Sequence, residues 1–351
     1  MAGRANLCGQ AQSDILIQNG NPMRTQFAFL FGAGASKALG THVKPRTPPL
    51  MCELYDELAM AFQKERGSGS LFAIYADQFR KDFEQYADQF RKDFEQTFTE
   101  VILKNTNEYA LPGPALSLLE GQRPLALYFS RFVLAPTRMD YYSKLLDALG
   151  RSGNIPHTVF GSLNYDCLFE QAASHFGFTP RYEWDNAKKL DSVRIAKIHG
   201  SSTFIAQIDQ RTMAILAGTN VHVEVPVTIL SVENLEKELG EKLSGRRTLY
   251  LPVMSQVSHH KEQPLATGAI QRMRNGWNAG VHDAKVIAII GVSFNSYDQH
   301  IIEQIENASG TVLYIGDEES FKKWQAVNRS AQCLGRRLED GFDALLTHLG
   351  V

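Results

Sequence analysis

Cysteine is scarce in this sequence, and its distribution says more than its number. Four occur in 351 residues, at Cys8, Cys52, Cys167 and Cys333. Their scatter argues against a disulfide framework. The gap between Cys167 and Cys333 excludes a four-thiolate zinc module there. Long apolar runs are missing as well: the best, Val286 to Val292, is strand-sized and far short of a bilayer span. The opening MAGRANLCGQAQSD lacks the apolar core of a secretion signal. These absences predict a cytoplasmic protein with reduced thiols and no membrane contact. A dominant charge is absent too. The 36 basic and 38 acidic residues leave a formal net charge of −2, so nothing global favours nucleic acid or an anionic surface as a direct ligand.

What remains is an ordinary globular composition, 44% hydrophobic and 21% charged, long enough for one large domain or two smaller ones. The stretch Gln26 to Leu39, QFAFLFGAGASKAL, organises the rest. Phe27 to Phe31 suits a strand buried on both faces of a parallel sheet. Gly32-Ala33-Gly34-Ala35-Ser36 then turns the chain into a helix-compatible segment. Such a turn points backbone N–H groups and a helix dipole at one spot and suits a diphosphate. Taken alone, it is equally a tight strand–helix corner.

Residues 1–25 read as a lead-in, and residues 26–351 as one domain carrying two inserts. Prolines 45, 48 and 49 make a loop, and 51–150 is a helical insert. Inside it YADQFRKDFEQ occurs twice, at Tyr75–Gln85 and Tyr86–Gln96. Eleven residues approximate three helical turns, so Phe79, Phe83, Phe90 and Phe94 are expected on one stripe, as core or as a partner face. From Ile155 apolar strands alternate with helices, interrupted by a mixed, β-rich insert at 207–260. In that insert His259-His260 reads as loop or edge rather than metal site. The order predicts a doubly wound, Rossmann-like α/β fold with its ligand crevice at the strand C-termini.

Four loops fall at such positions: GAGAS (32–36), SLNYD (162–166), HGSS (199–202) and GVSFNSYD (291–298). Asp298 and His300, at the last of these, are either ligand contacts or the start of the next helix. Together the loops resemble the sirtuin-like family, which joins a Gly-Ala-Gly-x-Ser turn, a Thr-x-Asn-x-Asp loop, a His-Gly pair and a late Gly-x-Ser loop around NAD. Ser162 stands where Thr is common. The Asn164-Tyr165-Asp166 version is similar to the bacterial NAD-hydrolysing branch, and the missing cysteines set it apart from zinc-bearing deacylases. The resemblance spans residues 26–317, including the Trp277 helix.

That resemblance implies NAD as substrate, no zinc, and a role as an antiphage effector that depletes NAD. His199 is expected as general base, since imidazole titrates near neutrality. Asn164 would fix water or a ribose hydroxyl, and Asp166 is either catalytic or a helix cap. Gly32, Ala33, Gly34 and Ser36 are expected at the diphosphate, Ser293 and Phe294 at phosphate or ribose, and Asp317 at the adenosine ribose. With no sensor domain evident, control is expected from self-assembly, with the helical insert as the oligomer surface, and from a HerA-type DNA-translocating ATPase. Two other readings share or lack the chemistry: a deacylase or ADP-ribosyltransferase using the same site, and a non-catalytic sensor of NAD or ADP-ribose.

Overall fold

The run Phe27–Phe31 is the middle of the sheet, and all five residues are buried. A computed structural model describes residues 25–104, 114–137, 139–182, 191–218, 224–241, 248–254 and 267–351. Seven strands form the main sheet: β1 (Phe27–Phe31), β2 (Thr158–Ser162), β3 (Thr179–Arg181), β4 (Ser192–Lys197), β5 (Val286–Ile290), β6 (Thr311–Ile315) and β7 (Gln332–Gly335). Their order is β7-β6-β5-β1-β2-β4-β3, and every pairing is parallel. The chain winds outward from β1 through β2 to β4, returns to β5 on the other side, and winds away again. This is the doubly wound, Rossmann-like arrangement that the alternation predicts.

Strand periodicity separates two cores. Phe27, Phe29 and Phe31 join the cluster that includes the helical insert and the helices Tyr141–Arg151, Leu168–His175 and Leu338–Leu349. Ala28 and Leu30 face the other cluster, under the helix Thr267–Asp283. Alternate residues point to opposite faces, so a strand covered on both sides must be apolar throughout. Trp277 fixes the second layer. It is buried, and its Nε1 donates to the Phe29 carbonyl at 3.2 Å. Gly161 makes room for it, because a Cβ there would lie 2.5 Å from that Nε1.

Two local expectations need correction. Of His199-Gly200-Ser201-Ser202, read as a loop, only His199 stands in a turn; Gly200–Asp209 is a strand. Gly200 has a left-handed φ of 81°, which turns the chain out of the parallel sheet. The strand then pairs antiparallel with Val227–Ile229 and Thr248–Met254 in a separate three-stranded sheet. Residues 210–218, grouped with β-rich sequence, form a helix. Asp209 Oδ1 accepts the Thr212 N–H at 2.7 Å and starts that helix. His259-His260 and residues 1–24 lie outside the described residues.

The repeat folds differently in its two copies. The first lies wholly inside the helix Leu71–Gln85, whereas the second is divided into Ala87–Lys92 and the start of Phe94–Lys104. Asp93 is extended between them and its Oδ1 accepts the Gln96 N–H at 3.0 Å. Phe83, Phe90 and Phe94 are buried against one another, with ring centroids 4.6 and 5.3 Å apart along the series. Of the two readings, core packing is the one these rings adopt. The side chain of Phe79 lies outside what is described.

Candidate active site

Strand register brings the four loops to one level. Phe31 of β1 pairs with Ser162 of β2 and with Ile290 of β5. Ser162 pairs with Lys197 of β4. Residues 32, 163, 198 and 291 therefore leave neighbouring strands side by side, at the C-terminal edge where open α/β sheets hold ligands.

The glycines of the first turn serve a purpose that the sequence did not disclose. The Gly32 N–H donates to the Ile290 carbonyl at 3.0 Å, and the Gly34 N–H to the Gly291 carbonyl at 3.0 Å. Those two amides bind the neighbouring loop. Cβ atoms at Gly32 and Gly34 would lie 2.4 Å from Gly291 O and 2.8 Å from Gly291 Cα. Gly291 itself has a φ of 61°. Here glycine permits loop-to-loop approach at the switch between β1 and β5. The following helix, Ala33–Lys37, has only five residues, so its dipole is correspondingly small.

The loop after β2 is tied to this turn by its side chains. Asn164 Nδ2 donates to the Gly32 carbonyl at 2.9 Å and to Ser36 Oγ at 3.0 Å. Ser36, expected at the diphosphate, is fully buried. Its hydroxyl donates to Asp166 Oδ1 at 3.3 Å and lies 3.2 Å from the Tyr142 hydroxyl. Asp166 Oδ1 also accepts the Leu168 N–H at 3.1 Å, at the start of the helix Leu168–His175. These contacts brace Asp166 one residue before the cap position, Cys167, of that helix. Tyr165, between Asn164 and Asp166, lines an apolar pocket with Leu54, Phe94, Phe98, Phe129 and Met254, at the seam with the helical insert.

Beneath lies a cation that sequence reasoning missed. Lys197, at the end of β4, is fully buried. Its Nζ donates to the Asp166 carbonyl at 2.6 Å and stands 3.3 Å from Glu170 Oε1. The Tyr182 hydroxyl donates to that same oxygen at 3.4 Å. Burial alone would lower the Lys197 ammonium, but Glu170, Cys167 and Asp166 hold it above its ordinary value. Burial raises the Asp166 carboxyl, with Lys197 opposing the shift only in part. The available signal was a second charge, after Arg194, at the end of an otherwise apolar strand, VRIAK.

His199 sits on the opposite flank. It occupies the turn after β4, whose Ile198 carbonyl accepts from Arg274 Nε at 3.1 Å. Its Nε2 lies 3.1 Å from Asp298 Oδ1, and both side chains are buried. Asp298 precedes the helix Gln299–Glu306, yet its side chain makes no cap hydrogen bond to it. Its carboxylate faces the imidazole. The His300 ring lies 5.8 Å from that of His199, at 54°. Between the two readings of Asp298 and His300, their backbone begins a helix while their side chains gather around His199.

The remaining expected residues lie farther along the same edge. Ser293 is exposed. The Phe294 N–H donates to Ser320 Oγ at 3.2 Å, and its ring packs on Trp324 with centroids 5.0 Å apart. Asp317 is exposed and caps the helix Glu318–Val327 through the Ser320 N–H at 2.8 Å. His199 is 3% exposed and Asn164 8%. Compared with known proteins, the chain matches no family model and no curated sequence. No helix among the described residues is long and apolar enough to cross a membrane.

Proposed function

We propose that this protein hydrolyses NAD to nicotinamide and ADP-ribose at the crevice between β1, β2, β4 and β5. The observation that carries this reading is the arrangement of Asn164 and His199 on adjacent loops at one level of the sheet, with Asp298 against the imidazole. The bond from nicotinamide to ribose C1′ breaks with its electron pair leaving on nicotinamide, and positive charge develops on the ribose. Water adds at C1′ and gives up a proton. His199 accepts that proton, and the Asp298 carboxylate stabilises the imidazolium formed. Asn164, whose Nδ2 is committed to Gly32 and Ser36, offers its Oδ1 as a neutral acceptor to water or a ribose hydroxyl. Opening of the site precedes binding, in keeping with a hydrolase that stays quiet until triggered.

The helical insert is the proposed surface for self-assembly, and Tyr165 is the route from it to the Asn164 loop. A HerA-type ATPase partner and a role in antiphage defence belong to the same reading. The direct test is nicotinamide release by the purified chain, with and without such an ATPase. His199→Ala is expected to cut the rate by about 10³-fold, within the range for a lost general base, with the fold retained by circular dichroism. Release that survives this substitution overturns the mechanism. Mass spectrometry of the products separates free ADP-ribose from an acylated product or a modified protein.

A further inference from the structure

We infer that His199, Asp298 and His300 form a site for a divalent transition-metal ion such as Zn²⁺, and that the bound ion locks the catalytic imidazole. One ligand atom from each residue lies within 4.8 Å of the other two. Among the described residues this is the one grouping of three or more such side chains with that property. Two imidazoles and a carboxylate are the donor set that suits zinc and its first-row neighbours and disfavours magnesium or calcium. The distances fit with little motion. Zinc–ligand bonds of about 2.0–2.1 Å place tetrahedral ligand atoms about 3.3 Å apart, and His199 Nε2 to Asp298 Oδ1 is already 3.1 Å. The two edges that reach His300 lie within 4.8 Å, so it has to move by no more than about 1.5 Å toward the tetrahedral spacing, and water completes the shell.

The trio is also anchored. Arg274 pins the turn that carries His199, and the helix Gln299–Glu306 fixes the spacing of Asp298 and His300. This site differs from the thiolate zinc module that the cysteine distribution excludes, because it uses no sulfur and lies in the crevice itself. Its consequence rests on the hydrolase reading above. An imidazole nitrogen that donates its lone pair to a metal cannot accept a proton from water, so the loaded protein would be silent and a chelator would restore it.

The experiment has two arms. In the first, calorimetry with Zn²⁺ and visible absorption with Co²⁺ on the chelator-treated full chain are expected to show one saturable site. His300→Ala should weaken it by about a hundredfold, comparable with the largest losses seen when even an outer-shell partner is removed. His300→Asn repeats the comparison with a polar side chain if alanine harms folding. Absence of saturable binding, or binding unchanged in both variants, overturns the site. In the second arm nicotinamide release is followed against Zn²⁺. At ten times the dissociation constant about a tenth of the activity should remain, while His300→Ala, whatever its zinc-free rate, should keep about nine-tenths of that rate at the same concentration. Binding without inhibition overturns the lock and leaves the site; binding with no NAD turnover in any state instead rejects the hydrolase reading.

Discussion

The two flanks of the proposed site are built on opposite plans. On one, Asn164, Ser36, Asp166 and Lys197 bond to one another and to backbone from three adjacent loops. On the other, His199, Asp298 and His300 present titratable or metal-binding atoms within 4.8 Å of each other. Buried polar groups committed to short bonds have little left to give a substrate, and breaking any one leaves another unsatisfied. Groups gathered around an imidazole can still exchange a proton or a ligand. On the proposed reading, the difference assigns one flank to holding the shape and the other to the chemistry, with Asn164 at the join. Substitutions on the first flank should therefore register in stability, and those on the second in rate.

The largest effect expected on the bonded flank is from Lys197→Met. Removing this cation strands Glu170 and Asp166 in the interior and should cost about 3 kcal/mol or more, read by denaturant unfolding. The pH dependence gives a second check. The Lys197 ammonium is raised in the folded protein, so its contribution is full below its unfolded value near 10.5. It is lost as pH climbs through the higher folded value. Wild type should therefore weaken above about pH 10.5 by a route that the variant lacks. Asp166 is raised as well, and its neutral form is favoured by burial. Without Lys197 it rises further, so the variant's deficit should shrink on acidification toward the carboxylate range. A variant as stable as wild type at neutral pH would erase the distinction between the flanks.

On the chemical flank, Asp298→Asn keeps the shape and removes the charge. It should lower kcat about tenfold, a part of the general-base contribution, with KM for NAD and the melting temperature unchanged. A rise in KM alone would reassign Asp298 to substrate binding.

Much of this architecture was legible because burial on both faces leaves a strand no freedom of composition. Phe27–Phe31 and Val286–Ile290 could hardly be anything but central strands, and the four loops after apolar strands follow from them. What stayed hidden depends on tertiary contact. Gly32 and Gly34 were read as room for phosphate, whereas the folded chain uses that room for Gly291. Asp298 looked equally like a ligand or the beginning of a helix because sequence cannot say where a carboxylate points. The two copies of YADQFRKDFEQ make the limit plain. Identical residues give continuous helix once and a break at Asp93 the second time, so local propensity cannot have decided between them.

The smallest expected effect sharpens the comparison most, because it falls where sequence and structure assign different work. Sequence places Ser36 at the diphosphate; in the folded chain its hydroxyl joins Tyr142, Asn164 and Asp166, with none of the residue exposed. Ser36→Ala removes one oxygen from that group and leaves partners short of a bond. The cost should be about 1–2 kcal/mol, visible as a melting temperature lower by a few degrees. KM for NAD should not move, since a brace that never touches the substrate cannot alter its affinity except through the fold. A phosphate ligand predicts the reverse, a raised KM with an unaltered melt, because an exposed hydroxyl contributes little to stability. Steady-state kinetics and a thermal melt on one variant therefore decide whether Ser36 belongs to the frame or to the ligand.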